Sequence, residues 1–102
     1  MSISDAFLHP IERIEPRPGY CVLVFWKEGG QSLVDFSDDV AHGPIFETLR
    51  DERNFARVRL VNEGTVIEWP APVRHNGEPM IDIDSDGLWH MAQAQNGAIA
   101  AE

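Results

Sequence analysis

The stretch Tyr20-Cys21-Val22-Leu23-Val24-Phe25-Trp26 decides the fold class. It is β-branched or aromatic on both alternating faces, with Tyr20, Val22, Val24 and Trp26 on one and Cys21, Leu23 and Phe25 on the other. That pattern describes a strand with apolar surface on both sides, and so a central strand. Lys27-Glu28-Gly29-Gly30 supplies turn chemistry, and Gln31 to Phe36 then sets Leu33 and Asp35 against Val34 and Phe36 as the return arm of a hairpin. Upstream, Ile11 to Ile14 enclose Glu12-Arg13, and Pro16, Pro18 and Gly19 break the chain before the central run. A short strand and a turn are expected there.

Downstream, Ser37-Asp38-Asp39 offers side-chain oxygens to free helix amides, and His42-Gly43-Pro44 stops that helix after about a turn. Ile45, Phe46 and Leu49 have helical spacing, and Asp51-Glu52 precedes Phe55 in a second short turn. Neither segment is long enough to be a helix without support from a sheet. Val58 and Leu60 alternate with Arg57 and Arg59, Asn62-Glu63-Gly64 turns, and Thr65 to Trp69 returns, which is a second hairpin. Pro70-Ala71-Pro72 halts that strand, so residues 70–79 are expected as an exposed loop. Ile81 and Ile83 then alternate with Asp82 and Asp84. Ser85 or Asp86 caps a helix carrying Leu88, Trp89, Met91 and Ala92, and Asn96-Gly97 ends it, leaving 97–102 as a flexible tail.

These elements make residues 1–102 a single α+β domain, with a mainly antiparallel sheet built from hairpins, short helices and a C-terminal helix. The expected core combines Val22, Val24, Val58, Leu60, Ile67 and Trp69 with Ile45, Phe46, Leu49 and Phe55. The two apolar faces of Tyr20–Trp26 leave two arrangements open. Either a homodimer covers the second face, or the helix carrying Leu88, Trp89 and Met91 does.

Composition narrows the function classes. The chain has 102 residues, 43% hydrophobic and 25% charged, which is ordinary for one globular domain. Eight basic residues face 17 acidic ones, a formal charge of −9. The average field repels phosphate backbones and anionic headgroups, so the expectation is no direct contact with nucleic acid and none with membrane. An acidic surface instead suits a protein partner, and a small basic protein most of all. Cys21 is the single cysteine, which excludes an intrachain disulfide and fits a reducing cytoplasm. Met1 to Pro10 lacks a basic leader followed by an apolar run, and no stretch is long and apolar enough for a span.

Asp82-Ile83-Asp84-Ser85-Asp86-Gly87 has the alternating carboxylates of the first half of a calcium loop. A complete loop needs a bidentate glutamate where Gln93 stands, and a helix before Asp82, where the chain instead carries Pro79 and an apolar alternation. The aspartates are read as a solvent-facing strand end and a helix cap. His9, His42, His75 and His90 share no helical spacing with one another, and Cys21 has neither a glycine elbow nor a helix N-terminus to activate it. No catalytic, cofactor-binding or metal-binding residue is nominated. Arg53, Arg57 and Arg59 gather positive charge, with Glu68 as an expected cross-strand partner. The candidate interaction surface comprises Arg57, Arg59, Trp69, Asp82 and Asp84.

Val34-Asp35-Phe36, Gly43-Pro44-Ile45-Phe46-Glu47-Thr48-Leu49-Arg50-Asp51, Phe55, Val58 and Ile67-Glu68-Trp69-Pro70 together resemble the family called domain of unknown function 2442. The likeness extends over residues 9–90, and its motifs are apolar anchors and turns. This chain departs from the family pattern by inserting Ala71 to Met80 between W-P and the aspartate-rich segment. Some relatives carry a C-terminal helix-turn-helix for which residues after Met91 leave no room. The resemblance implies no activity. It implies a binding module encoded beside a second small family of unknown function, number 4160, in an arrangement like a toxin and antitoxin. The expected function is therefore a small non-enzymatic interaction protein, the antitoxin-like member of a pair. The alternative is a ligand-binding protein or enzyme with a cleft near His42, Arg57 and the 70–79 loop.

Overall fold

The computed structural model describes residues 9–42, 48–75 and 78–100. Its order is β1 (Ile11–Arg17), β2 (Cys21–Trp26), β3 (Gln31–Asp35), α1 (Ser37–His42), α2 (Glu52–Phe55), β4 (Arg59–Val61), β5 (Val66–His75), β6 (Glu78–Asp84) and α3 (Ser85–Ala100). The class is α+β and every strand pairing is antiparallel. In place of a single sheet there are two three-stranded sheets, β1-β2-β3 and β4-β5-β6.

Each sheet is a pair of successive hairpins, and each puts one face into a common core. Strand β2 shows the sorting: Val22, Val24 and Trp26 are buried, whereas Cys21, Leu23 and Phe25 on the opposite face are half-buried. Val34 on β3 and Ile11 on β1 join the same core. From the second sheet come Ile67, Trp69 and Ile81, while α1 adds Val40, α2 adds Phe55, and Leu49 and Val58 enter from the connections. Leu60 packs against this core half-buried. Of the expected core, Ile45 and Phe46 lie outside the described residues.

The sheets meet at two seams. At one, β1 packs beside β4 and the left-handed turn Asn62–Gly64, where Gly64 (φ +86°) lies directly against the backbone of Ile11. At the other, α3 sits between β3 and β6 and inserts Leu88 and Ala92 into the core. The Gln95 side chain fastens this seam: the Asp35 amide donates to its Oε1 at 2.8 Å, and its Nε2 donates to the Asp35 carbonyl at 2.8 Å. A side-chain amide thus takes the place of a neighbouring strand on that part of the β3 edge.

Two boundaries differ from the sequence reading. Residues 70–79 are no loop: β5 runs on to His75 and β6 starts at Glu78, with Arg74 opposite Pro79 and His75 opposite Glu78. Strand β4 pairs with β5 only from Val66 to Glu68, so beyond that point β5 is an edge, where proline removes no ladder bond. An irregularity between Trp69 and Arg74 absorbs the change of register. Helix α3, in turn, passes through Gly97 to Ala100 instead of ending there. A mid-helix glycine costs only about 1 kcal/mol, and the alanines that follow favour the helix. No described helix is long and apolar enough to cross a membrane.

Candidate interaction surfaces

Register places the candidate residues of the second sheet. Arg59, Glu68 and Asp82 lie side by side across β4, β5 and β6, and Val61, Val66 and Asp84 form the next outward row. Arg59 Nε donates to Glu68 Oε2 at 2.7 Å, as the cross-strand pairing of the sequence leads one to expect. Asp82 and Asp84 are exposed, and this face is therefore acidic once Arg59 has neutralised Glu68. Arg57 is also exposed, in the connection between α2 and β4.

Trp69 does not belong to this surface. It alternates inward beside Ile81, is fully buried, and donates from Nε1 to the Phe55 carbonyl at 2.9 Å. Phe36 meets it edge-on with ring centroids 5.5 Å apart, and Phe55 tilts against it at the same distance. Burial with a satisfied indole N–H makes it the centre of an aromatic cluster rather than a contact residue.

The aspartates after β6 have structural employment. Asp84 Oδ1 accepts from the Gly87 amide at 2.6 Å and caps α3, and Asp86 Oδ1 accepts from the His9 amide at 3.0 Å. His9 then stacks on Trp89 with centroids 4.0 Å apart and meets Glu28 through Nδ1 at 3.0 Å. Among the described residues no group of three or more His, Cys, Asp or Glu side chains could hold a metal ion. His42 lies exposed at the end of α1 with Asp38 at 3.1 Å, and no described contact brings it to Arg57. A cleft of about 280 Å³ does exist elsewhere, lined by Pro16, Arg17, Pro18, Glu52, Phe55 and Ala56.

The first sheet carries a surface that the sequence reading did not nominate. Its outer face has three rows: Arg17, Cys21 and Asp35; Glu15, Leu23 and Leu33; Arg13, Phe25 and Gln31. The Arg13 guanidinium lies 3.7 Å from the centre of the Phe25 ring, and both Arg13 and Arg17 bond Glu15. The Arg13 hydrogen bond, with the charge of both arginines, holds the Glu15 carboxyl below its ordinary range. Asp35 is likewise lowered, by hydrogen bonds from Ser37, while burial and the neighbouring Asp35 charge push the Cys21 thiol up. That thiol is consequently a poor nucleophile.

No family model matches the chain, and no curated protein does. Among solved structures the fold matches the crystal structure of "Putative DNA Binding Protein NE0471" from Nitrosomonas europaea. The TM-score is 0.67 and the identity 25%, over 89% of this chain and 53% of that one. This chain thus spans about half the length of that protein. The match corrects one expectation. The formal charge of −9 argued against direct contact with nucleic acid, yet a protein that shares this fold over about half its length carries the name "Putative DNA Binding Protein". Net charge reports an average field and says nothing of a local surface, so the exclusion does not stand.

Proposed function

We propose that this domain is a small non-enzymatic interaction protein, the antitoxin-like member of a two-protein pair. The observation that carries the reading is that the outer face of each sheet presents exposed side chains, Arg13, Arg17, Leu33 and Asp35 on the first and Arg59, Asp82 and Asp84 on the second, while α3 turns Leu88 and Ala92 into the core. Rigid, two-sided sheets of this kind present extended surfaces for macromolecules. The row Arg59, Glu68 and Asp82, with Asp84 beside it, gives the second sheet an acidic face that suits a positively charged protein surface. The resemblance to domain of unknown function 2442 supports the pairing. Co-expression with the product of the adjoining gene, followed by size-exclusion chromatography, tests it. A co-eluting complex that weakens with salt and with Asp82→Lys is expected; two separately eluting soluble proteins would refute the pairing.

A second reading is favoured by the structural match: direct DNA binding, as the Nitrosomonas europaea protein is described. It rests on a local basic surface, for which exposed Arg57 and Arg53 are the nearest residues. Fluorescence anisotropy with duplex DNA across a salt series distinguishes it. DNA binding gives an affinity that falls steeply with salt and drops on Arg57→Ala.

A further inference from the structure

Three features set the outer face of the β1-β2-β3 sheet apart. It is apolar along its spine, where Cys21, Leu23 and Phe25 are half-buried; Leu33, 49% exposed, is the large hydrophobic left exposed among the described residues. It is formally neutral on a molecule of charge −9, since Arg13 and Arg17 balance Glu15 and Asp35. Its flanks also differ in sign: β1 carries Arg13 and Arg17 with Glu15 between them, one positive charge in excess, and β3 carries Asp35 in the same row as Arg17.

We propose that this face is a homodimer interface, on which a second copy of the chain packs face to face about a two-fold axis running along β2. Such a rotation turns the sheet over while keeping each row in place, so that β1 of one protomer faces β3 of its partner. Arg17 then stands opposite the partner's Asp35, twice by symmetry, Leu23 meets its own copy at the axis, and Leu33 lies against the aliphatic stem of the partner's Glu15, whose carboxylate is held by Arg13 and Arg17 of its own strand. A surface whose charges are complementary to themselves under one rotation is what an isologous dimer requires. The balanced charges of this face spare a second copy the like-charge repulsion that it meets at the acidic face of Asp82 and Asp84. Association through the β3 edge is obstructed at Asp35, whose amide and carbonyl are both taken by Gln95. Sheets packed in this way lie about 10 Å apart with strands within about 30° of each other. Three short strands make a smaller patch than the roughly 800 Å² per partner of a standard-size complex, and a dissociation constant on the order of micromolar is expected.

The inference rests on the reading that the outer sheet faces are binding surfaces, and assigns this one a different occupant from the acidic face. Sedimentation equilibrium of the full chain from about 1 to 200 μM brackets a micromolar dissociation constant. The mass is expected to rise from 11.5 kDa towards twice that value. Leu33→Asp, at an exposed position that leaves the core intact, is expected to weaken the dimer at least about tenfold, or 1.4 kcal/mol. Arg17→Asp is expected to weaken it too, and the reversed pair Arg17→Asp with Asp35→Arg to recover it.

Cys21, the single cysteine, lies beside the proposed axis and supplies an independent probe. A bismaleimide of about 10 Å span, matched to the sheet spacing, is expected to join two chains through it. The reaction is run near pH 8, since burial and Asp35 raise this thiol. The cross-link should vanish with Leu33→Asp. A constant monomer mass overturns the proposal, as does a dimer indifferent to Leu33→Asp that yields no Cys21 cross-link. A monomer that still binds the adjoining gene's product sinks the dimer alone; a dimer that does not bind it sinks the pairing alone.

Discussion

Replacing Gly64 by alanine probes the closest approach between the two sheets. Gly64 has φ +86°, and a Cβ placed there falls well inside van der Waals contact with the Ile11 carbonyl oxygen, with the Ile11 C and N atoms each at 3.4 Å. Two costs follow. An L-residue in a left-handed conformation loses about 1–2 kcal/mol, and forcing β1 away from the turn adds about 1–3 kcal/mol, the usual range for overpacking. The sum, about 2–5 kcal/mol, is a large part of the roughly 5–15 kcal/mol that holds a domain together. Gly30 is the control: its φ of +87° is almost the same, but nothing lies within 4 Å of its Cβ. Gly30→Ala therefore carries the backbone cost without the clash. In urea denaturation monitored by tryptophan fluorescence, Gly64→Ala should lose about 1–3 kcal/mol more than Gly30→Ala at unchanged m. By thermal melting it should fall at least about 8 °C below the parent. Equal losses in the two variants would show that β1 does not press on this turn, and the seam between the sheets would have to be redrawn.

Three further outcomes follow from the geometry. Asp35, Asp51 and Glu15 all have carboxyls lowered in the folded state, by Ser37, by Arg53 and by Arg13 respectively. The unfolded chain then binds protons at a higher pH than the folded one. The stabilisation is thus complete above the ordinary values of 3.8 and 4.5 and is lost as pH falls below them. Urea midpoints measured from pH 6 down to 3 should fall through that window, less steeply in Asp35→Asn. Trp69→Ala empties the centre of the aromatic cluster and leaves the Phe55 carbonyl without its indole donor, which should cost about 3–5 kcal/mol in the same assay. Gln95→Ala should cost about 1–3 kcal/mol through two lost hydrogen bonds and, in hydrogen exchange by NMR, speed up the Asp35 amide.

The strands were legible because they obey a two-residue period and are bounded by turn chemistry. The β2 pattern predicted its own two faces, and the alternation of Arg57, Val58, Arg59 and Leu60 led to the Arg59–Glu68 pair. Division into two sheets was not legible, since it depends on where β1 meets β4, and no local pattern encodes that approach. The prolines at 70 and 72 read as a break because sequence does not reveal that β4 stops short and leaves β5 an open edge. Trp69 drew two readings, core and surface, and Glu68 pointing outward beside Arg59 decides for the core. The clasps that position α3, Asp86 to His9 and Gln95 to Asp35, join residues 77 and 60 positions apart and leave no local signal. The outer face of the first sheet was visible only as half of an alternation. Where α3 packs, with Leu88 and Ala92 in the core and Gln95 at the β3 edge, is a matter of tertiary contacts.

Each sheet is also one uninterrupted stretch of chain, residues 11–35 for the first and 59–84 for the second. No strand of one sheet is threaded between strands of the other. A cut in the linking segment 36–58 therefore severs no hairpin and leaves every ladder of backbone hydrogen bonds within one fragment. What such fragments must rebuild on meeting is side-chain packing, in the common core and along the two seams, and the few clasps across them. The architecture is that of a split protein in waiting, in which reconstitution of two expressed halves would report on side-chain packing between the sheets apart from strand pairing, and in which the outer face of either sheet can be exchanged without disturbing the ladders of the other.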